Sequence, residues 1–257
     1  MNLYWIWFSR INKIGTRTQN KLIEKFKNPE KIWNLTEKEL TEIKLEKEKK
    51  EIILDKKYRQ DLKKYEDYMK KQNINMLTIN DEKYPEKLKN IYDPPVVIYV
   101  KGNIDILNDA SLAIIGSREC SEYGKKAASR FSYNISKHKI NIISGLARGI
   151  DTYAHKGTIC AKGRTIAVLG SGIDSIYPSE NINLASEIIK QGGAIISEYI
   201  IGTKPDKNNF PARNRIISGL ADGVLVVEAG NKSRNPYNSR LCLRARKKCI
   251  CYSGKYI

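Results

Sequence analysis

The sequence contains few of the residues on which most catalytic, metal-binding and disulfide-rich proteins depend. Its 257 residues include only two histidines, His138 and His155, and five cysteines. The cysteines are scattered, are odd in number and form no CxxC pair, which argues against a disulfide framework or a zinc site. This usage of cysteine is typical of a reducing compartment, and we expect a cytoplasmic protein.

Long apolar runs are also absent. No stretch approaches the roughly 20 apolar residues that a membrane span needs. The amino terminus, MNLYWIWFSR, has a short apolar start without a basic region before it or a small-residue cleavage site after it. It is therefore not interpreted as a signal peptide, and no membrane partner is expected.

The common fingerprints of nucleotide-dependent enzymes are missing. Gly170-Ser171-Gly172 lacks the third glycine of GxGxxG, and no Walker lysine pattern occurs. His155 follows Asp151 by four residues on a predicted helix, so the two form either a catalytic pair or a hydrogen-bonded structural pair. His138 is flanked by lysines and is expected at the surface. Because no nucleophile, base and orienting residue occur together, the sequence predicts no catalytic residues, cofactor or metal.

Positive charge is abundant. Lysine and arginine total 46 against 28 acidic residues, which gives a formal net charge of +18. A field of this size attracts polyanions, most commonly nucleic acid. A genome rich in A and T would also enrich lysine, asparagine and isoleucine, so the placement of the charges must decide between the two explanations.

Residues 1–75 are predicted to form a small helical domain. INKIGTRTQNKLIEKF has apolar residues at near-helical spacing, with Gly15 allowing a tight turn between two short helices. Thr36 and Glu39 have the spacing of a capping box. The Ile-x-x-Ile-Gly pattern resembles the hairpin of helix-hairpin-helix modules, which bind phosphate through backbone N–H groups; an ordinary packing turn is the alternative. Residues 37–72 are mostly lysine and glutamate, as on a solvated helix face.

Residues 76–257 are predicted to form an α/β domain. Continuous apolar runs alternate with amphipathic segments: LAII at 112–115, INIIS at 140–144, TIAVLG at 165–170, GAIIS at 193–197 and GVLVVEAG at 223–230. Such runs indicate strands buried on both faces of a mostly parallel, doubly wound, Rossmann-like sheet. DPPVVIYVKG at 93–102 is expected to add an edge strand, because Pro94 and Pro95 cannot lie centrally in a sheet.

The loops after these strands combine glycine with arginine. Gly116-Ser117-Arg118 follows the first strand, and SGLARG at 144–149 follows the second. In a parallel sheet these loops emerge at one edge, where such folds bind ligands. Glycine permits close approach of a ligand to the backbone, and helix N-termini supply N–H donors for anions. We therefore expect a phosphate-binding rim that carries Arg118, Arg148, Arg213 and Arg215.

Four motifs in order resemble the DprA/Smf family of DNA-processing proteins. They are AIIGSRECSEYG, IISGLARGIDTYAH, GRTIAVLGSGIDSIYP and SEY…FPARNRIISGLADGVLVVEA, with YPEKL at 84–88 before them. The resemblance covers residues 80–230, and the helical block fits the small SAM-like or hairpin domain of that family. It implies a Rossmann-like core that binds single-stranded DNA without chemistry. It further implies protection of incoming strands during natural transformation, loading of the RecA recombinase and a possible homodimer.

The resemblance and the rim together assign a single-strand site. Its residues are Gly116, Ser117, Arg118, Ser144, Gly145, Arg148, Lys207, Phe210, Arg213, Asn214 and Arg215. Arginines and backbone amides would hold phosphates, and Phe210 would stack on a base for ~1–3 kcal/mol. Arg213, Arg215 and Phe210 are expected to form one wall of a groove. For Asn214 and Arg215 the alternative is capping and packing of the next helix, and for Arg213 it is a structural role.

The sequence departs from the family pattern after Glu228-Ala229. Arg234, Asn235 and Pro236 stand where small residues are expected, and Ser253 replaces the proline before Gly254. The chain then ends at 257, before the rest of the family core and any winged helix. This altered stretch puts self-association and the RecA contact in question. Folding is at risk as well, since a missing sheet strand would leave an exposed apolar edge. Two alternatives stay open: a nucleotide phosphoribohydrolase-like enzyme, although no PGGxGT loop occurs, and a truncated, non-functional remnant.

Overall fold

The amino-terminal part of the chain is helical up to residue 71. The computed structural model describes residues 3–228 and 248–252. The first helices are α1 (Leu3–Arg10), α2 (Thr16–Phe26), α3 (Pro29–Trp33), α4 (Glu37–Glu42), α5 (Lys47–Leu54) and α6 (Leu62–Lys71). Gly15 has φ +82° and separates a short 3₁₀ turn from α2, so the predicted turn is confirmed. The capping box is also confirmed, since Thr36 Oγ1 accepts from Glu39 N and the Glu39 carboxylate accepts from Thr36 N.

Strands and helices alternate from residue 74 onward. They are β1 (Ile74–Thr78), α7 (Glu86–Lys89), β2 (Val97–Gly102), β3 (Ser111–Gly116), α8 (Glu122–Ser136), β4 (Asn141–Ser144), α9 (Ile150–Cys160), β5 (Thr165–Leu169), α10 (Ile182–Lys190), β6 (Ala194–Ser197), α11 (Asn209–Leu220), β7 (Gly223–Val227) and β8 (Lys248–Tyr252). The strands form one sheet in the order β1-β2-β6-β5-β4-β3-β7-β8. The five pairs along β6-β5-β4-β3-β7-β8 are parallel, whereas the β1–β2 and β2–β6 pairs are antiparallel. The five predicted runs are therefore strands.

Helices cover both faces of the sheet. Ile150 and Ala154 of α9 pack with Ile114 and Ile142 on one face. Ile216 and Ile217 of α11, with Leu220, pack on the other face against Ala113, Ile143 and Val224. Both faces of the central strands are thus removed from water, which is why their sequences are continuous apolar runs rather than alternating ones. The fold is α/β and Rossmann-like, as predicted.

The edges of the sheet differ from expectation. β2 lies inside the sheet between β1 and β6, and β1 forms the edge. Pro94 and Pro95 do not interfere because the strand begins after them, at Val97. At the other side β8 pairs with β7 along its whole length. The expectation that part of the family core is missing at this end stays a prediction. The altered residues 234–236 and Ser253 lie outside the described residues.

The cysteines correct one further expectation. Cys249 on β8 is disulfide-bonded, whereas Cys120, Cys160 and Cys251 carry free thiols. The sequence did not indicate the bridge, because five scattered cysteines without a CxxC pair argue against disulfides. Within residues 3–228 and 248–252, no helix is both long and apolar enough to cross a bilayer.

The helical block and the sheet share one hydrophobic cluster. Trp7 and Phe8 of α1 are fully buried in the same cluster as Tyr99 of β2 and Leu169 of β5. The Tyr99 hydroxyl is hydrogen-bonded to Ser9 Oγ at 2.6 Å. This continuous core joins the two predicted domains, and their division at residue 75 stays a prediction.

His155 is a structural residue of the core. It is fully buried, and its Nδ1 is 2.8 Å from Thr165 Oγ1 on β5. Asp151 instead accepts backbone N–H groups of the loop after β4. The sequence suggested a pair between His155 and Asp151, but the structure gives each of them another partner. His138 is exposed, as expected.

All three tryptophans, Trp5, Trp7 and Trp33, lie in the helical block. Their fluorescence therefore reports this block, whereas circular dichroism reports the whole chain. Because the core is shared, we expect urea transitions from the two signals to coincide. Trp7→Ala should lower the free energy of unfolding by about 3–5 kcal/mol and move both transitions together.

Tyr68→Ala is the matched control, since this α6 side chain is 40 % exposed and its loss should change the free energy of unfolding by less than about 0.5 kcal/mol. A fluorescence transition that shifts alone in Trp7→Ala would contradict the shared core and favour two independent domains.

Stability should depend on pH through His155. Burial and the nearby charge of Arg213 lower the pKa of His155 to about 3, against about 6.5 in the unfolded chain. The unfolded state therefore takes up a proton below pH 6.5 that the folded state takes up only near pH 3. The His155 contribution is complete above pH 6.5 and falls by about 2 kcal/mol at pH 5. Urea unfolding at pH 7 and pH 5 measures this loss.

His155→Gln keeps a hydrogen-bonding side chain that does not titrate. Its free energy of unfolding should fall about 2 kcal/mol less than the wild type between the two pH values. Equal losses in both proteins would show that His155 is not held neutral in the core.

Candidate nucleic-acid interface

The loops after β3, β4 and β5 meet the first turn of α11 at the carboxyl edge of the sheet. α11 approaches this edge so closely that a Cβ atom added at either of two glycines in these loops would collide with it. A Cβ at Gly170 would lie 2.8 Å from Phe210 Cδ1, and one at Gly145 would lie 2.5 Å from Arg213 Nη1. Glycine at these positions therefore allows α11 to seat Phe210 and Arg213 against the strand ends.

An arginine and two aromatic rings form the exposed part of this edge. The Arg118 guanidinium lies 5.3 Å from the centroid of the Phe210 ring, within the range of a cation–π contact. The Tyr177 ring is 5.6 Å from Phe210 with an interplanar angle of 37°. Arg118 is exposed, Tyr177 is 44 % exposed and Phe210 is half-buried. The edge therefore presents a cation and ring faces to solvent.

Sequence reasoning missed Tyr177. The sequence contained an indication of its role, because an aromatic residue in a loop at the carboxyl end of a strand is available for ligand contact.

A small cavity of about 40 Å³ lies among these residues. It is lined by Arg118, Gly145, Ala147, Arg148, Tyr177, Pro178, Phe210 and Arg213.

Arg213 is buried rather than exposed on the rim. Only 3 % of the residue is accessible, and Nη1 donates to the carbonyl oxygens of Gly145 and Val168. Burial lowers its pKa to about 10, so it stays charged at pH 7, and the neighbouring Asp151 carboxylate counteracts part of this shift. Arg213 thus connects α11 to the ends of β4 and β5.

Arg215 points away from Arg213. Its guanidinium lies 2.5 Å from a Glu198 carboxylate oxygen and 3.3 Å from one of Asp93. These carboxylates raise the pKa of Arg215 although burial lowers it. Residues two apart on an α-helix are separated by roughly 200°, so Arg213 and Arg215 cannot form one wall. The expectation of a single wall relied on an extended loop where the structure has a helix.

The residues at the end of β4 already have partners inside the protein. Ser144 is fully buried, and its hydroxyl donates to the carbonyl of Ile114 at 2.6 Å. The N–H groups of Gly145 and Ala147 donate to Asp151 Oδ2 at 3.1 and 3.4 Å. Burial raises the pKa of Asp151, while Arg213 and these donors lower it. The amides expected to hold phosphate therefore bind a carboxylate of the chain itself.

A second carboxylate occupies the start of α8. Ser121, the N-cap of this helix, donates its N–H and its hydroxyl to the Glu228 side chain at 2.9 Å. This contact fills a helix N-terminus at which the sequence predicted an anion. The positive ends of α8 and α9 are thus both neutralised from within the protein.

The other predicted site residues are spread around the edge. Gly116 ends β3, where a Cβ would clash with the carbonyl of Val227, and the Ser117 hydroxyl donates to the Glu119 carbonyl at 2.7 Å. Arg148 forms an exposed ion pair with Glu180 at 2.6 Å. Lys207 is exposed in the loop before α11, and Asn214 is half-buried within that helix.

The described part of the chain has no group of three or more histidine, cysteine, aspartate or glutamate side chains arranged to hold a metal. The charged and aromatic groups at the edge are suited to holding an anion with planar rings rather than to coordinating a cation.

Comparisons with known proteins identify relatives of this chain. The chain is 44 % identical to the DNA processing protein DprA of Bacillus subtilis over 165 residues, which are 64 % of this chain and 55 % of that protein. A solved structure of DprA from Streptococcus pneumoniae matches with a TM-score of 0.82 and 31 % identity, covering 100 % of this chain and 88 % of the other.

A DprA structure from Helicobacter pylori, described as showing a single-stranded DNA binding mode, matches with a TM-score of 0.64 and 30 % identity. It covers 71 % of this chain and 81 % of that one. The chain spans 50–59 % of the length of the curated relatives from Bacillus subtilis, Escherichia coli and Synechocystis.

The family model for DNA recombination-mediator protein A matches residues 75–256, which include the whole sheet apart from the first residue of β1. With this match and the shared topology, the chain belongs to the DNA recombination-mediator protein A (DprA/Smf) family of DNA-processing proteins.

Proposed function

We propose that this protein binds single-stranded DNA at the surface formed by Arg118, Tyr177 and Phe210, and acts by binding rather than by catalysis. The observation that carries the proposal is an exposed arginine at cation–π distance from a ring, beside a second exposed ring. This combination suits single strands, whose phosphates need cations and whose unpaired bases need stacking partners. The Helicobacter pylori DprA structure, described as showing a single-stranded DNA binding mode, supports the same ligand.

Each exposed group has a separate task in this proposal. Arg118 binds a phosphate, and the rings of Phe210 and Tyr177 stack on bases, which is worth ~1–3 kcal/mol per base. Lys207 adds charge along the path of the strand. Arg148 contributes less, because Glu180 already neutralises it.

The buried predicted residues act by positioning. Arg213 holds the first turn of α11 against β4 and β5, which places Phe210 beside Arg118. Ser144 and Gly145 fix the loop after β4 through their bonds to Ile114 and Asp151. Asn214 and Arg215 lie farther along α11, where Arg215 secures the opposite side of the helix to Glu198.

The enzyme alternative has no supporting observation at this edge. Pockets for small molecules usually measure ~300–1,000 Å³, whereas the cavity here measures about 40 Å³. His155 is fully buried against Thr165, the first residue of β5, and therefore faces the amino end of that strand rather than this edge. A cavity of this small volume suits a surface that binds an extended polymer better than it suits the substrate pocket of a nucleotide hydrolase.

The cellular role is proposed from the family. A recombination mediator in the cytoplasm would protect incoming single strands and deliver them to RecA, with a homodimer as the assembling unit. The carboxyl-terminal stretch on which self-association and the RecA contact depend in the resemblance is largely outside the described residues.

Arg118→Ala and Phe210→Ala should both weaken binding to a labelled poly-dT strand. We expect a loss of ~1–3 kcal/mol for Phe210→Ala through lost stacking. Arg118→Ala should also reduce the slope of log affinity against log salt by about 0.7, because one phosphate contact is lost. Fluorescence anisotropy at low and moderate salt measures both quantities.

Arg130→Ala is the charge-matched control, since Arg130 is exposed on α8 away from the edge. It should change the affinity by less than about 0.5 kcal/mol. A folded wild type that does not bind poly-dT, or equal losses in Arg118→Ala and Arg130→Ala, would contradict the proposed site.

Arg213→Ala should behave differently from Arg118→Ala. Removal of the buried guanidinium leaves the carbonyls of Gly145 and Val168 without their donor and Asp151 without its nearest cation. We expect the free energy of unfolding to fall by about 3–5 kcal/mol, against less than about 0.5 kcal/mol for Arg118→Ala. Urea unfolding at pH 7 measures the difference. Equal stabilities of the two variants would show that Arg213 does not position α11.

A further inference from the structure

A groove of about 1150 Å³ lies beside the proposed single-strand site, between the amino-terminal helices and the start of α11. Residues 12–19 of the helical turn and residues 90–97 before β2 form two of its walls. Pro211, Ala212 and Arg215 of α11 form the third. Phe210 and Arg213, on the other side of the same helix, line the small cavity. The groove and the proposed site therefore flank one turn of α11.

The groove contains a second arginine–aromatic pair. The Arg17 guanidinium lies 4.4 Å from the centroid of the Tyr92 ring. Tyr92 is 74 % exposed, the largest exposed fraction among the large apolar and aromatic side chains of the described chain, and Arg17 is also exposed. This pair repeats the arrangement of Arg118 and Phe210 at 5.3 Å. A ring with this exposure contributes little to packing apart from its contact with Arg17, so the face that Arg17 does not cover can stack on a ligand.

The charge of the groove favours an anion. Lys13 and Arg17 are both exposed along its wall. Two acidic residues also line the groove, Asp93 and Glu198, but both form ion pairs with Arg215, at 3.3 and 2.5 Å. The five charged residues that line the groove therefore carry a net charge of +1, and the two exposed ones, Lys13 and Arg17, are both positive.

The walls of the groove are held at a fixed spacing. Asn20 Nδ2 of α2 donates to the carbonyl of Pro94 at 2.8 Å, and Arg215 Nη2 donates to Thr16 Oγ1 at 3.4 Å. These bonds join the helical turn to the segment before β2 and to α11. The groove thus exists before any ligand binds, which lowers the entropic cost of binding.

We propose that the groove binds the continuation of the same single DNA strand, with a base stacked on Tyr92 and phosphates at Arg17 and Lys13. The exposed Pro211 and Ala212 lie between the two sites, so a strand can pass over this turn of α11 from Phe210 to Tyr92. This inference rests on the proposed function and extends it: the helical block becomes part of the DNA-binding surface.

The test compares a short and a long oligonucleotide. A strand of roughly 6 thymidines fills one site, whereas one of roughly 20 can reach both. The double variant Arg17→Ala/Tyr92→Ala should weaken binding of the long strand about 10-fold and leave the short strand unchanged. Arg118→Ala should weaken both, and Arg130→Ala should weaken neither. Fluorescence anisotropy with the full chain measures all the affinities, and thermal unfolding verifies that each variant is folded.

Failure of the inference differs from failure of the proposed function. If the wild type binds the long strand and the double variant binds it equally well, the groove proposal is overturned while the site at Arg118 stands. Equal losses on both strands would also overturn it, because they would place Tyr92 at the first site. A wild type that binds neither strand overturns both proposals.

Photochemical crosslinking gives an independent measurement. A long strand that carries 5-iodouridine should crosslink to Tyr92 as well as to Phe210 or Tyr177, as mapped by mass spectrometry. Crosslinks at the latter two alone would contradict the path through the groove. Tyr92→Phe keeps the ring, so it should bind the long strand as tightly as the wild type. A loss of affinity in this variant would show that the hydroxyl, rather than the ring, makes the contact.

Discussion

The contact between Arg213 and the ends of β4 and β5 is the constraint on which the candidate site depends. A buried guanidinium is costly unless its donors are satisfied and its charge is compensated. The carbonyls of Gly145 and Val168 accept from Nη1 and Asp151 provides the opposite charge, whereas the buried Nε has no hydrogen-bond partner among the described residues. Because α11 is fixed at this point, Phe210 lies beside Arg118 on one side and Arg215 reaches Glu198 on the other.

The chain neutralises part of its own anion-binding capacity. In a Rossmann-like sheet the starts of the helices after β3 and β4 are the usual places for a phosphate. Here Glu228 occupies the start of α8, and Asp151 accepts the amides before α9. The positive potential of the edge consequently comes from side chains at its rim, among them Arg118. Flexible side chains and rings suit an extended, variable polymer better than one nucleotide of fixed shape.

The helical block and the sheet share one hydrophobic core. Its tryptophans pack in the same cluster as Tyr99 and Leu169, and its turn at Gly15 opens onto the groove beside α11. The sequence left two readings of this turn, a phosphate-binding hairpin or an ordinary packing turn. Ile11 and Ile14 are buried, as in a packing turn, while Lys13 and Arg17 face solvent. The phosphate-binding hairpin stays a prediction.

The sequence by itself determined strands β2 to β7, the helical turn at Gly15 and the family, because these depend on local periodicity, glycine geometry and ordered motifs. It also placed Arg118 and Phe210 at the edge of the sheet. Only the tertiary structure decided which of the arginines reach solvent: Arg213 and Arg215 are separated by the turn of a helix, and their partners Val168 and Glu198 lie far away along the chain. Burial and ion pairing depend on contacts between distant residues, which no local pattern specifies.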